Sequence, residues 1–229
     1  NTTSSAVFNG SLTLNCTNLG TTSGIIIGND GNATINGNIT ASSTNGRGIL
    51  FGNASGAVTL ASGNVINVAS GTFTTGTLTL RNFTQLGTTA QNVTLTGTAD
   101  ITIGPASTFN GNVTFITPQV LLNGCTFNGT TYIEKTGAAT NAGVGSNIFN
   151  GVTTLVNSGS GIFESGNTSS DIFNNDLTLT NTGTSLISMA DNSAGNVFNG
   201  NIVVNCTNGN GIYFGNNTAA SASLAATKT

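Results

Sequence analysis

The chain has 229 residues, 37% of them apolar and only 5% charged, and a formal net charge of −3. Its four basic residues, Arg47, Arg81, Lys135 and Lys228, are scattered, so there is no basic patch for nucleic acid or an anionic membrane. No apolar run nears the roughly 18 residues of a membrane span, and disorder, which needs low hydrophobicity with high net charge, is also excluded.

The filler is Gly, Asn, Thr and Ser, with 32 Gly and 2 Pro. Gly and Asn tolerate tight turns and Thr favours strands, so many short strands and almost no helix are expected. The first element is Phe8-Asn9-Gly10-Ser11-Leu12-Thr13-Leu14. Its pattern is Phe-Asn-Gly-x-Φ-Thr-Φ, with Φ apolar. Taken along the chain, copies start near 8, 35, 54, 74, 89, 109, 127, 149, 173 and 198. The mean step, (198 − 8)/9, is about 21 residues, the period of a solenoid.

The two Φ positions alternate with an outward residue, as in a half-buried strand. Leu12/Leu14, Ile39/Ala41, Val58/Leu60, Leu78/Leu80, Val93/Leu95 and Val113/Phe115 occupy them, and so do Thr131/Ile133, Thr153/Leu155, Leu177/Leu179 and Ile202/Val204. The residue between is Thr13, Thr40, Thr59, Thr79, Thr94, Thr114, Tyr132, Thr154, Thr178 or Val203, predicting one exposed, mostly Thr column. A second part, Gly-Φ-x-Φ-Gly-Asn, stands at Gly24–Asn29, Gly48–Asn53 and Gly211–Asn216, with looser copies at Gly161–Asn167 and Ser185–Met189. Its glycines mark corners, and its Asn is placed to ladder amides along the stack. A third part returns to the next Phe, as at Asn147-Ile148-Phe149 and Asp171-Ile172-Phe173.

Three strands and three corners per coil predict an all-β parallel β-helix of about ten coils and about 48 Å. Residues 1–229 then form a single solenoid, with one parallel sheet made by each of the three strands. Right-handedness is expected because parallel crossovers usually are right-handed. Residues 62–76 and 136–148 are patterned weakly and read as bulging loops. The chain opens in mid-repeat, so a fragment of a longer repetitive protein is expected.

Cys16 and Cys206 occupy the same repeat position, roughly 43 Å apart at about 4.8 Å per coil, far beyond disulfide reach. With Cys125 they read as free, small, buried side chains. Without His or a Cys-x-x-Cys pair, no metal or cofactor site is expected. The acids are Asp30, Asp100, Glu134, Glu164, Asp171, Asp176 and Asp191. The nearest cluster is Glu164, Asp171, Asp176 and Asp191, and a sugar-cleaving site needs two carboxyls about 5 to 10 Å apart. Solvated turn acids are the preferred reading, so no catalytic residue is assigned. A calcium site from the same acids is not expected either, because the chain has no Gly-Gly-x-Gly-x-Asp repeat of the calcium-binding kind. Sequons begin at Asn32, Asn38, Asn53, Asn82, Asn92, Asn112, Asn128, Asn167 and Asn216; in so Asn- and Thr-rich a chain they arise from composition.

The Phe-Asn-Gly-x-Φ-Thr-Φ and Gly-Ile-x-Phe-Gly-Asn units resemble the repeats of very large bacterial cell-surface and extracellular filament proteins. Within that group they are similar to giant adhesins and hook-like appendages of gliding and predatory bacteria. The resemblance covers nearly the whole chain and implies a secreted, non-enzymatic β-solenoid for reach, stiffness, attachment and self-assembly. Its partners would be identical chains and a cell-surface or glycan target, with no nucleic acid and no membrane insertion. Two other functions stay open. One is a carbohydrate-active β-helix, a lyase, hydrolase or glycan-binding module, although the chain has no Trp and only Tyr132 and Tyr213 for sugar stacking. The other is ice binding by the outward pairs Ser11/Thr13, Asn38/Thr40, Ala57/Thr59, Thr77/Thr79, Asn92/Thr94, Asn112/Thr114 and Asp176/Thr178, of which only Thr77/Thr79 is a true Thr pair.

Overall fold

The computed structural model describes residues 4–17, 24–44, 47–141, 143–193, 195–216 and, for the backbone, 222–224. Every named element in them is a strand, and every pairing is parallel between successive coils. The chain is a β-solenoid with three faces, as the period-2 segments and repeated corners predict.

The face that carries the Phe residues is unbroken. Its ten strands run from Ser5–Phe8 through Asn32–Ile35, Val58–Leu60, Phe83–Gln85, Thr108–Phe109, Thr126–Phe127, Ile148–Phe149, Ile172–Phe173 and Asn196–Phe198 to Ala222–Leu224. Register places Phe8, Ile35, Leu60, Gln85, Phe109, Phe127, Phe149, Phe173 and Phe198 in one inward column. Eight steps separate Phe8 from Phe198, about 24 residues per turn.

That period is longer than the predicted one because two segments change face. Val58-Leu60 belongs to the Phe face, and Leu78-Leu80 belongs to the second face with Gly48–Phe51 and Asp100–Ile103. Both carry Φ-Thr-Φ, which fits any half-buried strand. Only an Asn-Gly after the Phe marks the corner, and these coils lack it. Thr94 pairs with Ile116, so Asn92 stands in the column of Thr114.

The other two faces are each split, against the expectation of one sheet apiece. The first face has Leu12–Cys16, Ile39–Ser43 and Ile66–Asn67, then a separate set of six. Those six are Gln91–Thr94, Val113–Thr117, Thr131–Lys135, Thr153–Asn157, Leu177–Asn181 and Ile202–Cys206. The buried Gln91 side chain bridges the break, accepting from Ile66 N at 2.8 Å and donating to Asn64 O at 3.0 Å. Residues 62–76 are therefore more than a bulging loop: they supply a strand and bury Ile66 and Phe73. The second face has five strands from Ile25–Ile27 to Gln119–Leu122, then Phe163–Ser165, Leu186–Met189 and Gly211–Phe214. Between the sets the predicted loop passes, touching its neighbours through the single bridges Asn123↔Gly145 and Asn141↔Phe163.

The Phe-Asn-Gly motif has a stacking cause at each residue. Phe109, Phe127, Phe149, Phe173 and Phe198 stack inside, with ring centroids 5.5, 5.1, 4.7 and 5.4 Å apart and planes within 13° of parallel. The next residue ladders its amide: Asn128 donates to Asn110, Asn150 to Asn128, Asn174 to Asn150 and Asn199 to Asn174, at 2.7–2.8 Å. Gly37, Gly129 and Gly151 each lie on the glycine of the coil before. A Cβ on Gly151 would come 2.2 Å from Gly129 O, closer than any side chain tolerates. The second-face corner is different, because Gly48 sits at φ +102° with Thr77 O 2.1 Å from where its Cβ would be, a conformation open to glycine.

Candidate functional site

The four clustered acids part company in the structure. Asp171 is fully buried inside the coil stack. Asp176 is exposed at the corner before the first face and accepts from Asn201 N at 2.8 Å. Glu164 and Asp191 do come together on the second-face side. There Asn167 Nδ2 donates to Glu164 at 2.6 Å. Ser188 Oγ, Asn216 Nδ2 and Asn192 Nδ2 donate to Asp191 at 3.3, 2.8 and 2.9 Å. Partial burial and then the Asp191 charge hold the Glu164 carboxyl above its ordinary range, against the Asn167 bond that lowers it. Among the described residues no three of His, Cys, Asp and Glu group as a metal set.

Asp171 belongs to an interior polar column, two residues before each Phe, that sequence reasoning missed. Asn147 donates both its backbone N–H and its Nδ2 to Asp171 Oδ1 at 2.8 Å. Ser165 Oγ donates to Oδ2 at 2.7 Å, and Asp171 N donates to Asn196 Oδ1 at 2.8 Å. Cys125 closes the column, its thiol 2.9 Å from Asn147 Oδ1. Desolvation raises the Asp171 carboxyl to about 6 against these donors. Burial likewise pushes the Cys125 thiol far above its ordinary range.

A second interior polar column closes the corner after the first face. Thr117, Lys135, Asn157 and Asn181 are buried there, each Lys135 or Asn pairing in register with the next. Each donates to corner carbonyls. Asn157 Nδ2 reaches Gly161 O at 3.0 Å and Leu186 O at 3.1 Å, and Asn181 Nδ2 reaches Ser185 O at 2.7 Å and Gly211 O at 3.0 Å. Lys135 Nζ takes the same role, donating to Gly137 O and to Gly161 O at 3.2 Å. Desolvation lowers this ammonium to about 8. The sequence signal was a polar residue at the last inward position of a strand whose other inward residues are apolar. Cys16 and Cys206 share that position, but Cys206 is exposed, contrary to expectation.

Outside, the expected single Thr column is distributed. Thr13, Thr40, Thr114, Thr154 and Thr178 stand on the first face, Thr59 on the Phe face and Thr79 on the second. The ice-binding pairs are divided accordingly. The regular column is an unpredicted one: Thr34, Thr59, Thr84, Thr108 and Thr126 are register partners in five consecutive coils of the Phe face. Ile148, Ile172 and Val197 extend it. No residue of those ten strands is charged. The predicted Gly-Asn ladder is present at Asn53→Asn29 and Asn192→Asn167, both 2.8 Å. Several sequon asparagines are tied into the stack, as Asn32, Asn38 and Asn112 accept backbone N–H groups of the next coil.

Compared with models of known protein families, with characterised proteins and with solved structures, the chain matches none.

Proposed function

We propose that the chain is a structural and adhesive segment of an extracellular bacterial surface filament or appendage, without catalysis, that associates with copies of itself. The observation that carries this reading is the Phe face. One uninterrupted sheet is stacked inside by Phe rings and outside by Asn amides, and it offers an uncharged surface. Such a face repeats its contacts coil by coil and meets little electrostatic repulsion when rods pack side by side. No helix among the described residues is long and apolar enough to cross a membrane.

Electron microscopy of the protein taken from its native source, without refolding, tests the reading. Fibres or bundles with a repeat near about 4.8 Å along the rod are expected. Dispersed rods of monomer length would overturn it.

A carbohydrate-active function is the second reading, favoured by the adjacent Glu164 and Asp191. Their oxygens already accept from Asn167, Ser188, Asn192 and Asn216, which suits an anchored surface polar cluster better than a mobile acid. Cleavage of a polysaccharide that Glu164→Gln abolishes would reverse this preference.

A further inference from the structure

Two of the four basic side chains of the chain, Arg47 and Arg81, line one groove of about 560 Å³ on the outer side of the second face. The outward column Ile26, Leu50, Thr79 and Thr102, register partners in four successive coils, forms its floor. That volume lies within the usual range of ligand sites.

The two arginines flank the groove from opposite strand ends. Arg47 precedes the strand Gly48–Phe51, while Arg81 follows the next coil's strand Thr77–Leu80. Gly48 pairs with Thr77, so about five residues of extended chain, roughly 16 Å, separate their backbones along the strand direction. One small anion meets one arginine. A chain bearing anionic groups at intervals meets both.

A chain that carries carboxylates at intervals, with ring hydroxyls beside them, complements the two arginines and the threonines of the floor. Arginine's planar fork matches a carboxylate bidentately. Thr79 and Thr102 offer hydroxyl partners, and Ile26 and Leu50 offer aliphatic contact to the C–H faces of sugar rings. Nucleic acid fits poorly, because a chain of net charge −3 has too few cations to release many counterions.

We propose that this groove binds a carboxylated polysaccharide. The assignment gives the adhesive reading a target chemistry and rests on that reading for its biological role, though not for the binding itself.

Calorimetric titration of the full chain with a hexamer of galacturonic acid tests it. Binding that weakens with added salt is expected. Arg47→Gln and Arg81→Gln should each weaken it about tenfold, and the double variant about a hundredfold. Glu134→Gln, on the first face, should leave it unchanged. The Arg81 stem lies close to Gly104, so its removal can disturb the coil. Thr102→Glu, which adds a repelling carboxylate to an outward position, provides the independent variant and should also weaken binding at least about tenfold. No binding by the natural chain, unchanged binding in a folded double variant and in Thr102→Glu, or equal affinity for a polyphosphate of matched charge would each overturn the proposal. Fibres without galacturonate binding would remove this proposal alone, whereas monomers that bind would remove the filament reading alone.

Discussion

Lys135 is the least expected residue of the interior, and replacing it is the sharpest test of how that interior is built. Its side chain is fully buried and its two hydrogen bonds go to the carbonyls of Gly137 and Gly161. Burial lowers the ammonium from 10.5 to about 8. Below that value the folded chain must carry a desolvated charge, while the unfolded chain carries the same charge in water. Stability attributable to Lys135 is thus complete above about 10.5, declines through the interval, and is lost as pH falls through about 8. A shift of this size has a ceiling of about 3 kcal/mol. Solvent beyond the thin wall of one coil screens part of it, so about 1–2 kcal/mol is the expected deficit at pH 7. Lys135→Asn places in this coil the residue that its column partners Asn157 and Asn181 already use as corner donors. It should raise the unfolding free energy at pH 7 by about 1 kcal/mol and flatten the pH dependence between about 8 and 10.5. Lys135→Met removes the charge without replacing the donors, and should gain less because two carbonyls lose a partner. Urea unfolding followed by circular dichroism across this pH range measures both. If Lys135→Asn destabilises at pH 7 and keeps the natural chain's slope, the buried-charge account is wrong.

Asp171 has the opposite sign. Its folded value of about 6 lies above the ordinary 3.8, so its contribution is complete below about 3.8 and is lost as pH rises through about 6. The loss is at most about 3 kcal/mol, and Asp171→Asn should reduce the slope in that window in the same unfolding series. Phe149→Ala removes a fully buried ring stacked on both sides at 5.1 and 4.7 Å. It should destabilise by about 4–5 kcal/mol, with amide exchange quickening first in the coils on either side. Thiol labelling under native conditions should modify Cys206 rapidly and leave the buried Cys16 and Cys125 until the chain unfolds.

Period-2 alternation and the Phe-Asn-Gly corners were enough to read the solenoid, its Phe column and the strand-like Gly-Φ-x-Φ segments. Face assignment was not legible wherever a coil lacked the Asn-Gly corner, because Val58-Thr59-Leu60 and Leu78-Thr79-Leu80 satisfy the pattern of any face. The splits of two sheets were also hidden. Gln91 reads as a surface residue until its amide is found bridging the gap above Ile66. The acids were legible as residues but not as places. Asp171 stands in the inward register of Cys125, Asn147 and Asn196, and only the parallel pairing of the Phe-face strands turns that position into burial. Glu164 and Asp191, 27 positions apart, meet because one coil nearly returns the chain to the same side.

The unbroken face and the broken ones have a common cause in coil length. The step from Phe8 to Ile35 is 27 residues and that from Phe109 to Phe127 is 18. Differences this large must be absorbed somewhere in each turn. On the Phe face the inward ring, the laddered Asn and the glycine that admits only backbone fix three consecutive positions against the previous coil. A slip of one residue there would turn the inward ring out to solvent. The first and second faces are joined by corners held through single side chains, Lys135, Asn157 and Asn181, which reach carbonyls either two or four residues on in their own coil. That latitude admits loops such as 136–147 without a change of register on the Phe face. Cohesion along the rod is therefore concentrated on one side, and loss of a Phe-face contact should uncouple neighbouring coils more than deletion of a loop residue on the other two.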